Sequence, residues 1–149
     1  MTLCRFYRLN DFDMSYYREI YCCECTQVVQ ARLTEWKEVY PHLRELPYKH
    51  FYICDKCKNF VGVHKGTNIP LGTIPTKEIK EFRKKIHSII DPIFLKSKNK
   101  NYTRKNIYHF LSEKINKEYH TATLSSIEDC KNVIKYLNDY REVLLGFVL

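Results

Sequence analysis

Two cysteine pairs, Cys22-x2-Cys25 and Cys54-x2-Cys57, have the residue types and spacing best suited to chemistry in this chain. A two-residue gap lets both thiolates of a tight turn point at one centre. Two such turns complete a tetrahedron of sulfur around one ion, with metal–sulfur distances of ~2.3 Å. That donor set is the one structural zinc takes, and it leaves no position for a water, so the ion is expected to organise the fold and not to react. Cys23 stands beside Cys22, and a Cys23-x-Cys25 pair would make a poorer chelate turn, so Cys22 is the expected ligand. His50 and His64 flank the second pair and are the alternative ligands in place of a cysteine. Glycine commonly follows the second cysteine of such turns, but here Thr26 follows Cys25 and Lys58 follows Cys57. The 28 residues between the pairs exceed the ~15–20 of a compact ribbon, and an inserted hairpin would absorb the excess.

The elements that must present these thiols are short strands. Thr26 to Leu33 reads as a strand leaving the first metal turn and Trp36 to Tyr40 as one returning, with Pro41 as the interruption. Tyr48, Phe51, Tyr52 and Ile53 run into Cys54, and Phe60, Val61 and Val63 run out after Cys57, as a metal-clipped hairpin should. Residues 1–21, aromatic and mixed in charge, read as a strand or extended arm covering one side of this region. Gly66, Pro70 and Gly72 then mark an irregular loop.

Three helices follow. Thr76 caps the first, whose apolar face is Ile79, Phe82, Ile86, Ile89 and Ile90 and whose end is set by Asp91-Pro92. Thr103 caps the second, with an inner stripe of Ile107, Phe110, Leu111 and Ile115. A capping box from Ser125 to Glu128 opens the third, which should run to about Tyr140. The apolar tail, 143–149, is expected to be buried against the helices or another subunit.

The formal net charge of +8 is concentrated between Lys77 and Lys117, where twelve Lys or Arg face four Asp or Glu. Lys77, Lys80, Arg83, Lys84, Lys85, Lys96, Lys98, Lys100, Arg104 and Lys105 are candidates for a phosphate-binding or partner-binding surface, with Tyr102 and Tyr108 placed to stack on bases. A solvated lysine face is the plainer alternative. Lys65-Gly66-Thr67 could offer an ammonium and backbone N–H groups to a phosphate, but it lacks the spacing of a nucleotide-hydrolysing P-loop. His64, His87 and Asp91 are the weak candidates for acid–base catalysis in a metal-dependent nuclease, with Arg83 as a phosphate clamp. Cys4, Cys23 and Cys130 read as small buried hydrophobes. The odd cysteine count and the absence of a charged-then-apolar leader pattern favour a reducing cytoplasm over secretion, and no apolar run approaches a membrane span.

The order of these features resembles a bacterial and phage family of zinc-finger-containing domains of unknown function. The likeness runs from the two cysteine pairs through Val61-Gly62-x-His64-Lys65-Gly66-Thr67 and Pro70-Leu71-Gly72 to Arg83, His87, Asp91-Pro92, Tyr119-His120 and Cys130. It implies a four-cysteine zinc site and a phage or mobile-element setting, without an activity.

The expected fold is α+β in a single domain: a zinc-ribbon-like set of antiparallel hairpins over 20–75, a helical region over 76–142 and the apolar tail. The expected function is binding, of nucleic acid or a nucleoprotein complex. The alternative is an inhibitor or adaptor that grips a host nucleic-acid-processing or defence protein through the same positive face.

Overall fold

The aromatic and β-branched runs before and after each cysteine pair form an antiparallel sheet. The structure is a computed structural model that describes residues 16–46 and 49–148. Strands β1 (Tyr17–Cys22), β2 (Gln27–Glu35), β3 (His50–Ile53) and β4 (Phe60–Gly62) lie in the order β1-β2-β3-β4, every neighbour antiparallel. Each cysteine pair occupies the turn of one hairpin. Cys22 pairs with Gln27 across the first, and Ile53 with Phe60 across the second. Ile20, Cys22, Ala31, Tyr52, Cys54, Val61 and Ile74 form the core of this unit, with Cys25 and Cys57 packed against it. Ile74 belongs to the chain returning from the loop after β4. Its N–H donates to the Tyr21 carbonyl and its carbonyl accepts from the Cys23 N–H, both at 2.9 Å, which closes the loop over the first metal turn.

Trp36 to Tyr40 departs from the strand expected there: Trp36–Val39 is a single helical turn, α1. β3 already pairs with β2 over Arg32 to Glu35, so no returning strand can occupy that edge. The Glu38 carboxylate accepts hydrogen bonds from Arg32 and from the Thr34 hydroxyl, which draws the chain back toward β2.

The chain divides into two compact units, Met1–Lys77 and Glu78–Leu149. The second is helical. Helix α2 (Lys77–Leu95) buries Ile79, Arg83, Ile86, Ile90 and Ile93 and runs straight through Pro92, beyond the end predicted at Asp91. Proline this close to the end removes one backbone bond, and the burial of Ile93, of the order of ~1.5–3 kcal/mol, offsets much of that loss. Helix α3 (Lys100–Ile115) is capped by Asn99, whose side chain accepts the Tyr102 N–H, and not by Thr103. Thr103 is buried one turn in, bonded to the Ser97 hydroxyl at 2.6 Å and donating to the Phe147 carbonyl at 3.0 Å. Helix α4 (Ile127–Asp139) begins one residue later than the box predicted from Ser125, with Ser126 accepting the Asp129 N–H at 3.1 Å. The tail forms a short helix, α5 (Arg141–Leu145), in which only Leu144 is buried, while Val143 and Leu145 remain exposed. No helix among the described residues is long and apolar enough to cross a membrane.

Candidate metal centre

The two hairpin turns bring Cys22, Cys25, Cys54 and Cys57 together, with all four Sγ atoms within 4.8 Å of one another. Cys22 Sγ lies 3.5 Å from Cys57 Sγ, and Cys25 Sγ 3.7 Å from Cys54 Sγ. Bonds of ~2.3 Å to a common ion give a regular tetrahedron edges of ~3.8 Å, so the sulfurs already sit near the spacing zinc requires. Both short approaches join a thiol of one turn to a thiol of the other. An ion held there ties together segments about thirty residues apart in sequence.

Burial and the backbone N–H groups of the turns pull the four thiols in opposite directions. Burial pushes the Cys22 thiol up, opposed by the N–H groups of Cys25 and Glu24 and by Cys57. Burial likewise raises Cys57 against the Asn59 N–H, and burial together with Cys54 raises Cys25. Burial works against Cys54 too, but the N–H groups of Cys57 and Lys56 and the Cys57 and Cys25 thiols outweigh it, leaving this thiol below its ordinary value. Backbone N–H groups thus favour the thiolate at Cys22, Cys54 and Cys57, and a divalent ion would supply the charge that deprotonates all four coordinating thiols. The residues therefore fit a structural zinc held by four cysteines.

Thr26 and Lys58, which stand where glycine is usual, both adopt the left-handed conformation, with φ of 52° and 64°. The turn geometry survives without glycine at the cost of strain, greatest at β-branched Thr26. Neither His50 nor His64 joins the sulfur group. His50 pairs with Glu35 where β2 and β3 meet, and His64 opens the turn after β4. Cys23 and Cys130 are buried as expected, with Cys23 Sγ 3.8 Å from the Thr73 hydroxyl, whereas Cys4, Phe6, Tyr7 and Tyr48 lie outside the described residues.

One support of the centre carried no sequence signal. Arg32 on β2 donates to both oxygens of Asp55, inside the second cysteine turn, and to Glu38 on α1, at 2.7–3.1 Å. It thereby clamps the strand leaving the first turn to the second turn. Hydrogen bonding to Arg32 lowers the Glu38 and Asp55 carboxyls and raises the guanidinium.

The basic candidates fall in different places. Lys77, Lys84 and Lys85 are exposed on α2 and Lys80 is half-buried, while Lys84 pairs with Glu81 at 2.7 Å. Arg83 is not on that surface. It is buried, with Nε and Nη2 donating to the Leu124 carbonyl at 3.2 and 2.8 Å, because it falls on the same face of α2 as Ile79, Ile86 and Ile90. Lys96, Lys98, Lys100, Arg104 and Lys105 are all exposed around the elbow between α2 and α3, and no Asp or Glu occurs between Asp91 and Glu113. Tyr102 is exposed there. Tyr108 instead meets Tyr119 edge-on and carries the Arg104 guanidinium 5.3 Å from its ring centre. His87 Nδ1 and Asp91 Oδ1 are 3.6 Å apart across one exposed turn of α2, and His64 and Lys65 lie on the turn after β4, both exposed.

The description of a zinc-finger-containing domain matches this chain over residues 18–140, which takes in both cysteine turns and helices α2 to α4. No curated protein and no solved structure matches it.

Proposed function

We propose that this chain, which belongs to the zinc-finger-containing domain family, uses the α2–α3 elbow as a nucleic-acid-binding surface while zinc holds the sheet of the first unit in shape. The observation that carries the reading is the uninterrupted positive stretch Lys96, Lys98, Lys100, Arg104 and Lys105 around exposed Tyr102, with no carboxylate in the intervening sequence. Cations so placed neutralise phosphates and release their counterions, and an exposed aromatic ring offers a base a stacking face. In a phage or mobile-element setting, the target is nucleic acid or nucleoprotein in the reducing cytoplasm, where thiols stay available to zinc.

The test is fluorescence anisotropy with labelled single-stranded and duplex oligonucleotides across a salt series. Affinity should fall steeply with salt. Replacing Lys96, Lys98, Lys100, Arg104 and Lys105 by Gln should weaken binding and flatten the slope by about 0.7–0.9 for each phosphate that is no longer neutralised. Salt-independent binding, or a variant that binds as tightly as the parent, contradicts it. Capture of partners from lysate that survives nuclease treatment would point instead to an acidic protein as the target.

A further inference from the structure

The zinc-bearing unit has a second feature, separate from the sulfur cage. A cleft of about 520 Å³ is lined by Glu35, Trp36, Lys49, His50 and the Gly66–Asn68 turn. Its size falls within the range of small-molecule sites. Glu35 and His50 are register partners where β2 and β3 meet, and Trp36, the only tryptophan in the chain, follows directly.

The opposite lining is fixed in place. Thr67 N–H donates to the His64 carbonyl at 3.0 Å across a tight turn with Gly66 at φ 73°, and the Thr67 hydroxyl bonds the same carbonyl at 2.9 Å. Asn68 presents its carbonyl to Tyr52 Oη at 2.8 Å and to Arg18 Nη1 at 3.1 Å, so a buried tyrosine of β3 and an arginine of β1 pin the turn over the sheet. Among the described residues no acceptor takes the N–H of Gly66 or Asn68. A cleft built this way needs little ordering on binding.

We propose that this cleft binds a nucleoside phosphate, either free or as one unstacked residue of a single strand. The indole of Trp36 supplies the flat face on which a base stacks. Glu35, an acceptor only, suits a base edge that carries N–H donors. Lys49, in the same lining as the Gly66–Asn68 turn with its open N–H groups, supplies positive charge for the phosphate. This site uses none of the elbow lysines, so it stands or falls independently of the proposed α2–α3 surface.

Trp36 is a built-in reporter. Titration of the zinc-loaded protein with guanosine 5′-monophosphate should quench its fluorescence saturably, whereas inorganic phosphate and ribose 5-phosphate at the same concentrations should not. By calorimetry, Trp36→Ala should weaken nucleotide binding about ten-fold or more and Lys49→Ala several-fold. The elbow variant should bind the mononucleotide as the parent does. A guanine-containing tetranucleotide that binds about ten-fold tighter than the monophosphate identifies a strand residue as the ligand, and equal affinities identify the free nucleotide. Absence of saturable quenching, or binding unchanged in both Trp36→Ala and Lys49→Ala with zinc content intact, overturns the proposal.

Discussion

At the scale of single residues, the cysteine turns show how a geometry can be kept after its usual residue is gone. Thr26 and Lys58 hold left-handed φ values that glycine would adopt without strain. Thr26→Gly is expected to stabilise the zinc-loaded protein by about 0.5–1 kcal/mol in chemical denaturation and Lys58→Gly by less, since relieved strain outweighs the added freedom of the unfolded chain most at a β-branched residue. The Arg32 cluster makes a second residue-level prediction. Glu38 is held below its ordinary value of 4.5, so its contribution to stability is complete above that pH and is lost as pH falls through the lowered folded value. Carboxyl-resolved NMR titration should therefore show Glu38 moving upward in Arg32→Gln. With the side chains partly exposed, the pair contributes no more than about 1 kcal/mol.

At the scale of elements, the long apolar stripes of α2, α3 and α4 were readable because a 3.6-residue repeat persists over many turns, whereas their ends depended on choices the pattern does not make. Asn99 and Thr103 are both plausible caps by residue type. The burial of Thr103 against Ser97 and Phe147 is a tertiary fact, and it leaves the cap to Asn99. Asn99→Ala should accordingly cost about 1 kcal/mol. Arg83 shows the opposite failure: its type suggested a surface, but its position on the apolar face of α2 decided its place. Arg83→Met should destabilise by about 1–3 kcal/mol, because the Leu124 carbonyl is left without these donors. Lys84→Met should change stability by less than about 0.5 kcal/mol. Thermal or urea unfolding of the two variants side by side checks the contrast.

For the whole molecule, the sulfur set was legible because four residues of one type at two x2 spacings have few other uses, and the sheet was legible from the apolar runs that bracket them. The Arg32 clamp and the Trp36 cleft were not, because each depends on which strands become neighbours: β2 beside β3, and the Gly66 turn over Tyr52. The thiols are part of the core of the Met1–Lys77 unit, whereas the Glu78–Leu149 unit buries its own isoleucines and leucines without a ligand cysteine. Strong chelation should therefore abolish the near-ultraviolet signal of the sheet aromatics while most of the helical signal at 222 nm persists. The most direct trial of this architecture is zinc content combined with X-ray absorption at the zinc edge on the purified protein. One zinc per chain surrounded by four sulfurs at about 2.3 Å is the expected outcome. Protein that folds without stoichiometric metal, or zinc with nitrogen or oxygen among its ligands, would show that Cys22, Cys25, Cys54 and Cys57 do not close the cage described here.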